Sequence, residues 1–346
     1  MLALHPERIS KESLARSSQQ LEGLELSTRL LIEEALRRGV EVEVLDRTNN
    51  FIRLSRNGHV HLARQATKTA VDSYMTFLIM ENKEVSKQIL RESAVRVPAG
   101  AQASSPQQAL QWYANLRDTN VVVKPSTTNF GIGVSFLSAP IDAQEYQSVV
   151  EQTFQHDTTI IIEEWIPGEE YRFLVVDYTA ISVCQRVPAN VVGNGIATIE
   201  ALVDKKNEDP RRGTGHRKPL EKLTLGPVER AELQKQDLQI HSIPEKNQQV
   251  FLRKNSNIST GGDSIDRTDD VHPSYLAVAE QAAKAVSSRI TGVDIMIKDL
   301  ESPASENNHA VIELNFNPVL FIHEKPYLGT SRPASAAVLD CLGFPE

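Results

Sequence analysis

The chain has 346 residues, 40% of them apolar, and 37 Lys plus Arg against 45 Asp plus Glu give a formal charge of -8. At roughly 150 residues per domain this length holds two or three lobes, and the acidic balance argues against a protein that coats nucleic acid. Apolar runs such as TIIIEEWI at 159–166 stop far short of the ~20 residues that a bilayer crossing needs, so no transmembrane helix is expected.

The opening MLALHPERIS carries charges where a signal peptide needs an apolar stretch, which makes a cytoplasmic location the expectation. With only Cys184 and Cys341 present, a disulfide framework and a cysteine-based zinc site are excluded, and both thiols are expected reduced. None of the nine His residues forms the helical HxxxH pair of a metal site. His59 and His61, in strand-like GHVHLA, share a face and are read as surface or packing residues. No internal repeat or low-complexity tract occurs.

Residues 1–100 read as a small α/β unit. GLELSTRLLIEEALRRG offers a Ser or Thr cap, helical periodicity and a terminal Gly39. Strand-like VEVEVLD, FIRLS and HVHLA follow, then one helical stretch through SYMTFLIMENKEVSKQILRESA, until VPAG breaks the pattern. Residues 101–168 read as a compact α+β lobe with strands VVVKP, GVSFL and TTIIIEEW. IPGEE is a hinge-like turn into 169–346, which opens with a strand hairpin, YRFLVVDYTAISVCQRV, turning at Asp177 and Tyr178. Residues 188–250 are polar and interrupted, and read as a surface excursion that could be disordered in part. Strand VFLRKN, a glycine-rich loop, helix SYLAVAEQAAKAVSSRI, strands GVDIMI and AVIELNFN, and a terminal helix SAAVLDCL complete the chain. The fold class is α/β, built of α+β lobes.

No Gly-Lys dipeptide occurs, so there is no Walker A loop. NFGIGVSF has Phe136 where a Rossmann fingerprint needs its third glycine, and it enters a strand instead of a helix. What VVVKPSTTNFGIGVSFL offers is Lys124 at a strand end before a flap in which Gly131 and Gly133 allow free amides to approach phosphates. An ordinary hairpin turn is the competing reading. In AVIELNFNP, Glu313 and Asn315 leave the same face of one strand, with Asp294 on the preceding strand. Two carboxylates and an amide oxygen are hard ligands suited to Mg²⁺ bridged to nucleotide phosphates. A carboxylate paired with a lysine is the plainer alternative, but an acid among Val, Ile, Leu and Phe favours a cation partner.

Lys83, Lys124, IIEEWIPGEE and the Asp294, Glu313, Asn315 set, in this order, resemble the ATP-grasp superfamily of carboxylate-amine ligases. DSYMTFLIMENKEVSKQIL, RVPANVV, NSNISTGGDSID and VIELNFNP resemble the glutathione synthetase module of bifunctional glutamate-cysteine ligase/glutathione synthetases. The likeness covers roughly residues 24 to 342, and RVPANVVGNG and NEDPRRGTGH are also similar to cyanophycin synthetase.

The resemblance implies an ATP-grasp fold with an N-terminal pre-ATP-grasp α/β subdomain over 1–100, a small lobe with the phosphate flap over 101–168, and a large lobe with the metal site over 169–346. It implies ATP and Mg²⁺, with Mn²⁺ as a substitute, and residue roles follow from it. Lys83 and Lys124 would contact the ATP phosphates; Glu163, Glu164 and Ile166 would line the adenine slot; Glu170 would take the ribose hydroxyls. Asp294, Glu313 and Asn315 match the family's metal ligands, while Arg186, Arg253, Asn257 and the Ser259–Gly262 loop fall where acyl phosphate and peptide are expected. Ser126 stands where relatives carry lysine, and VVGNG replaces VVGDG.

The implied activity is ATP-dependent peptide-bond formation through an acyl phosphate, with γ-glutamylcysteine and glycine as substrates. Another peptide or amino-acid ligase of the cyanophycin-synthetase-like group, and a nucleotide-binding module without turnover, are the alternatives. Neither nucleic acid nor membrane is an expected partner, and a homodimer is left open.

Overall fold

The computed structural model describes residues 7–11, 18–127, 133–215 and 217–346. In the first lobe β1 (Glu7–Ile9), β2 (Glu41–Asp46), β3 (Phe51–Arg56), β4 (His59–Arg64) and β5 (Lys68–Thr69) form an antiparallel sheet in sequence order. Its alternation sends Val42, Val44, Ile52 and Leu54 inward against helix α1 (Leu26–Arg37). The expected Ser or Thr cap is not the cap. Glu25 occupies that position, and the Ser27 hydroxyl, already inside the helix, accepts the Leu320 amide at 3.0 Å. At the other end Gly39, at φ +74°, closes the helix while the Val40 amide reaches back to the Ala35 carbonyl. His59 and His61 pack edge-on against each other, ring centroids 4.7 Å apart, and both lie against Phe344, a packing role.

The single long helix expected next is two, α2 (Tyr74–Glu81) and α3 (Lys83–Glu92). Asn82 leaves the helical region and its side-chain oxygen accepts the Glu84 and Val85 amides, so it caps the second helix. Lys83 thereby becomes the first residue of α3.

The small lobe comprises β6 (Gly100–Ala103), α4 (Pro106–Gln111), α5 (Tyr113–Leu116), β7 (Val121–Pro125), β8 (Ser135–Leu137), α6 (Ala143–Phe154) and β9 (Ile160–Glu164). Its sheet runs β6-β9-β7-β8, with Val121, Val123, Ile160 and Ile162 packed under Tyr146 and Val150 of α6.

Strands β10 (Glu169–Val176) and β11 (Thr179–Val187) form the expected hairpin. Asp177 and Tyr178 turn it at positive φ without a glycine, held by the Asp177 amide on Arg289 O and by the Arg289 side chain on Asp177. Residues after the hairpin depart from the expected loose excursion. They build β12 (Asn190–Val192), α7 (Ile199–Asn207), β13 (Arg212–Gly213), β14 (Leu220–Glu221), α8 (Pro227–Gln234) and β15 (Gln249–Phe251). Val191, Ile199, Val203, Leu223, Leu233 and Val250 give this insert its own core, small enough to be carried by a few apolar residues among many polar ones.

The chain then returns through β16 (Asp263–Asp266), α9 (Pro273–Ala285), β17 (Ile290–Ile297), β18 (His309–Asn315), α10 (Phe321–Glu324) and α11 (Ala334–Cys341). The large sheet, β16-β11-β10-β17-β18, is antiparallel throughout. Phe173, Val183 and Val293 on one face meet Ala279 and Ala282 of α9. Leu174 and Val176 on the other join the first lobe's core with Leu31 and Val338. Among the described residues no helix is long and apolar enough to cross a membrane, and Cys184 and Cys341 are free and buried.

Candidate functional site

A cavity of about 370 Å³ lies between the small-lobe sheet and the large sheet, lined from one side by Lys124, Glu163 and Ile166 and from the other by Glu170, Arg186, Asp294 and Glu313. On the small-lobe side β7 and β9 are neighbours. They set Lys124 beside Glu163, and Lys87 of α3 reaches the same carboxylate, so one buried acid is ion-paired to two lysines. Burial pushes the Glu163 carboxyl up, but the ammonium groups of Lys124 and Lys87 outweigh this and hold it below the usual carboxylate range. Sequence reasoning missed Lys87, although its spacing of one helical turn from Lys83 puts both on one face of α3.

Lys83 lines the cavity and makes no ion pair among the described residues. Burial draws its ammonium pKa down, opposed mainly by Glu313. Two cations, Lys83 and Lys124, therefore line the cavity, whereas the Glu163 carboxylate is committed to lysines and offers the slot no free group. Glu164 pairs with Arg96 at 2.9 Å. Ile166 is buried and apolar at the cavity wall. Gly133 has φ +74°, and a Cβ there would meet Pro125 at 2.7 Å, so Gly133 itself packs tightly on the end of β7. Gly131 lies outside the described residues.

On the large-sheet side, β17 and β18 pair Asp294 with Glu313 and Gly292 with Asn315. The Asn315 amide stands 3.2 Å from Asp294 and 3.3 Å from Glu313, so the three expected metal ligands do converge. The structure adds Arg172 of β10, which grips both Asp294 oxygens, one of them at 2.7 Å. Arg186 of β11 holds Asp294 Oδ2 at 2.9 Å and also pairs with Glu170. Burial raises the Asp294 carboxyl, and the two guanidinium groups reverse this and hold it well below the usual carboxylate range. Arg172 could have been found: a lone arginine in the apolar strand YRFLVV demands a buried anion.

Glu170 also accepts the Ser256 hydroxyl at 2.5 Å. Asn257 lines the cavity, and its carbonyl accepts the Thr260 amide and closes the loop through Gly262. Arg253, expected with it, is elsewhere. Buried Glu229 of α8 takes it at 2.5 Å, because an acid in the insert's interior needs a cation. Arg253 lines a second cavity of about 690 Å³ between the insert and the edge of the large sheet.

Among the described residues no cluster of three or more His, Cys, Asp or Glu could hold a metal by itself. Two carboxylates and one amide fit a hard cation that draws its remaining ligands from a phosphate. Lys83 and Lys124 line the same cavity as Asp294 and Glu313, which suits a polyphosphate carrying a magnesium ion.

A family model described as an ATP-grasp-like domain matches residues 22–75, and one described as the C-terminus of D-ala D-ala ligase matches residues 99–196. The chain is 49% identical over 321 residues to the glutathione biosynthesis bifunctional protein GshAB of Clostridium perfringens, covering 93% of this chain and 41% of that one. With the protein of the same name from Desulfotalea psychrophila the identity is 44%, over 94% of this chain and 42% of that one. A bifunctional glutathione synthetase from Pasteurella multocida, a solved crystal structure, superposes with a TM-score of 0.78 at 38% identity, over 96% of this chain and 47% of that one. The chain thus spans less than half the length of these relatives.

Proposed function

We propose, from the premise that the chain is an ATP-grasp module, that it joins a carboxylate to an amine at the expense of ATP, with γ-glutamylcysteine and glycine as the substrates. The observation that carries this reading is that Lys83 and Lys124 line the same cavity as Asp294 and Glu313, with the Asn315 amide against both carboxylates. The likeness to glutathione biosynthesis proteins supports the substrate class.

Asp294, Glu313 and Asn315 would hold magnesium, which when bound would neutralise phosphate charge. Lys83 and Lys124 carry the rest of that charge, and the apolar Ile166 and Met296 walls exclude water from the base. The donor carboxylate forms an O–P bond to the γ-phosphorus as the bond to ADP breaks, giving an acyl phosphate. The amine then bonds to the acyl carbon, phosphate leaves, and the nitrogen gives up a proton. Arg186, in the cavity wall, is the guanidinium that would stabilise the developing oxyanion, so the chain's contribution is positioning and charge compensation. Cys184 takes no part: burial pushes its thiol up to about 12, leaving it protonated. Two free thiols accord with action in the reducing cytoplasm.

Mass spectrometry of a reaction containing γ-glutamylcysteine, glycine and ATP should show the tripeptide with equimolar phosphate. Product with another amine but none with glycine would overturn the substrate assignment and leave the ligase reading intact.

A further inference from the structure

Arg186 is pinned by two acids with separate duties in the proposed reaction. It pairs with Glu170, assigned to the ribose, and with Asp294, assigned to the metal. Its neighbour Arg172 is held differently. Arg172 is 6% exposed, and its side chain occupies the space that a Cβ on residue 292 would fill, 2.8 Å from that position, so glycine there admits it permanently. Arg186 lines the cavity itself, and its buried Nε has no partner among the described residues. It is tethered by its tip alone.

We propose that Arg186 is a latch: without nucleotide it neutralises Glu170 and Asp294, and binding of nucleotide with magnesium frees its guanidinium to swing toward the acyl phosphate. This rests on the nucleotide reading of the cavity. Glu170, Asp294 and Glu313 lie around one cavity and would repel one another if no cation stood among them. Arg172 serves Asp294 alone, and Arg186 is the cation that joins Asp294 to Glu170. A ribose on Glu170 and an ion on Asp294 each remove one tether, and an ion at Asp294 also repels the guanidinium. Arg172 remains to orient the Asp294 carboxylate. The device ties the availability of the oxyanion-stabilising arginine to prior arrival of the nucleotide, which imposes an order of binding before any donor is activated.

The sign of one binding change tests this. Calorimetric titration of the full chain with magnesium and a non-hydrolysable ATP analogue would compare wild type, Arg186→Met and Arg186→Lys. A latch competes with the ligand, so Arg186→Met should bind the analogue more tightly, by at least about fivefold, the lower end of typical site coupling, while turnover falls. Arg186→Lys, with one ammonium unable to span both acids, should also bind more tightly, and it serves if the methionine variant does not fold. Weaker or unchanged binding in a folded variant overturns the latch and leaves the ATP-grasp reading standing. No binding by wild type overturns both.

Discussion

Glu313 and Asn315 share a strand face, but only Glu313 brings a charge to an ion, and its register partner Asp294 is already gripped by two arginines. Glu313→Gln is therefore expected to lower magnesium-dependent turnover more than Asn315→Ala, with both melting temperatures near wild type. A magnesium titration of both variants checks this, and normal turnover of Glu313→Gln at low magnesium counts against the metal assignment. Lys124→Ala leaves Glu163 its pairing with Lys87, so the variant should fold yet lose at least about tenfold in kcat/KM for ATP, or ~1.4 kcal/mol. Lys124, Glu313 and Asn315 were legible in the sequence because strand alternation fixes which face a side chain leaves. Arg172 and Lys87 were not assigned, since each is explained by an acid on an element distant in sequence. The pairing of Arg253 with Glu229 was not legible, because Glu229 sits in a segment whose packing composition does not reveal.

Strands with period-two alternation, such as EVEVLD and FIRLSR, were read from sequence close to their observed limits, because one buried face is enough to set them. Helices α2 and α3 were fused, since an apolar pattern runs across Asn82 and only the capping geometry separates them. The insert was the largest misreading: its core is assembled from short pieces far apart in sequence, none long enough to show a period. That core is separate from the others, so damage to it should stay local. Leu233, fully buried in α8, is expected to cost about 2–5 kcal/mol when cut to alanine. Hydrogen exchange should then rise over residues 190–252 while β10 and β17 keep their protection. Loss of protection in all three sheets at once would show that the insert is an integral part of one cooperative unit.

Two links give the molecule its working shape. The first lobe and the large sheet share one apolar core, whereas the small lobe has a core of its own, and α3 meets it through charge, by Lys87 on Glu163. An ionic link of this kind makes the small lobe's attachment depend on pH in a direction that can be worked out. Glu163 titrates below its ordinary value of 4.5 in the folded chain, so it contributes stability above that pH and loses it as pH falls through 4.5 toward its folded value. Glu163→Gln leaves two lysines facing a neutral amide, and should cost roughly 3–5 kcal/mol near pH 7, the scale for breaking a buried pair. As pH falls below 4.5 wild type should lose that advantage by at most about 1.4 kcal/mol per pH unit while the variant does not, so the gap between their denaturant midpoints should narrow. Urea melts of both proteins between pH 5 and 3 measure it. A gap that stays constant down to pH 3 would mean that the shape of the Glu163 side chain, and not its charge, joins α3 to the small lobe.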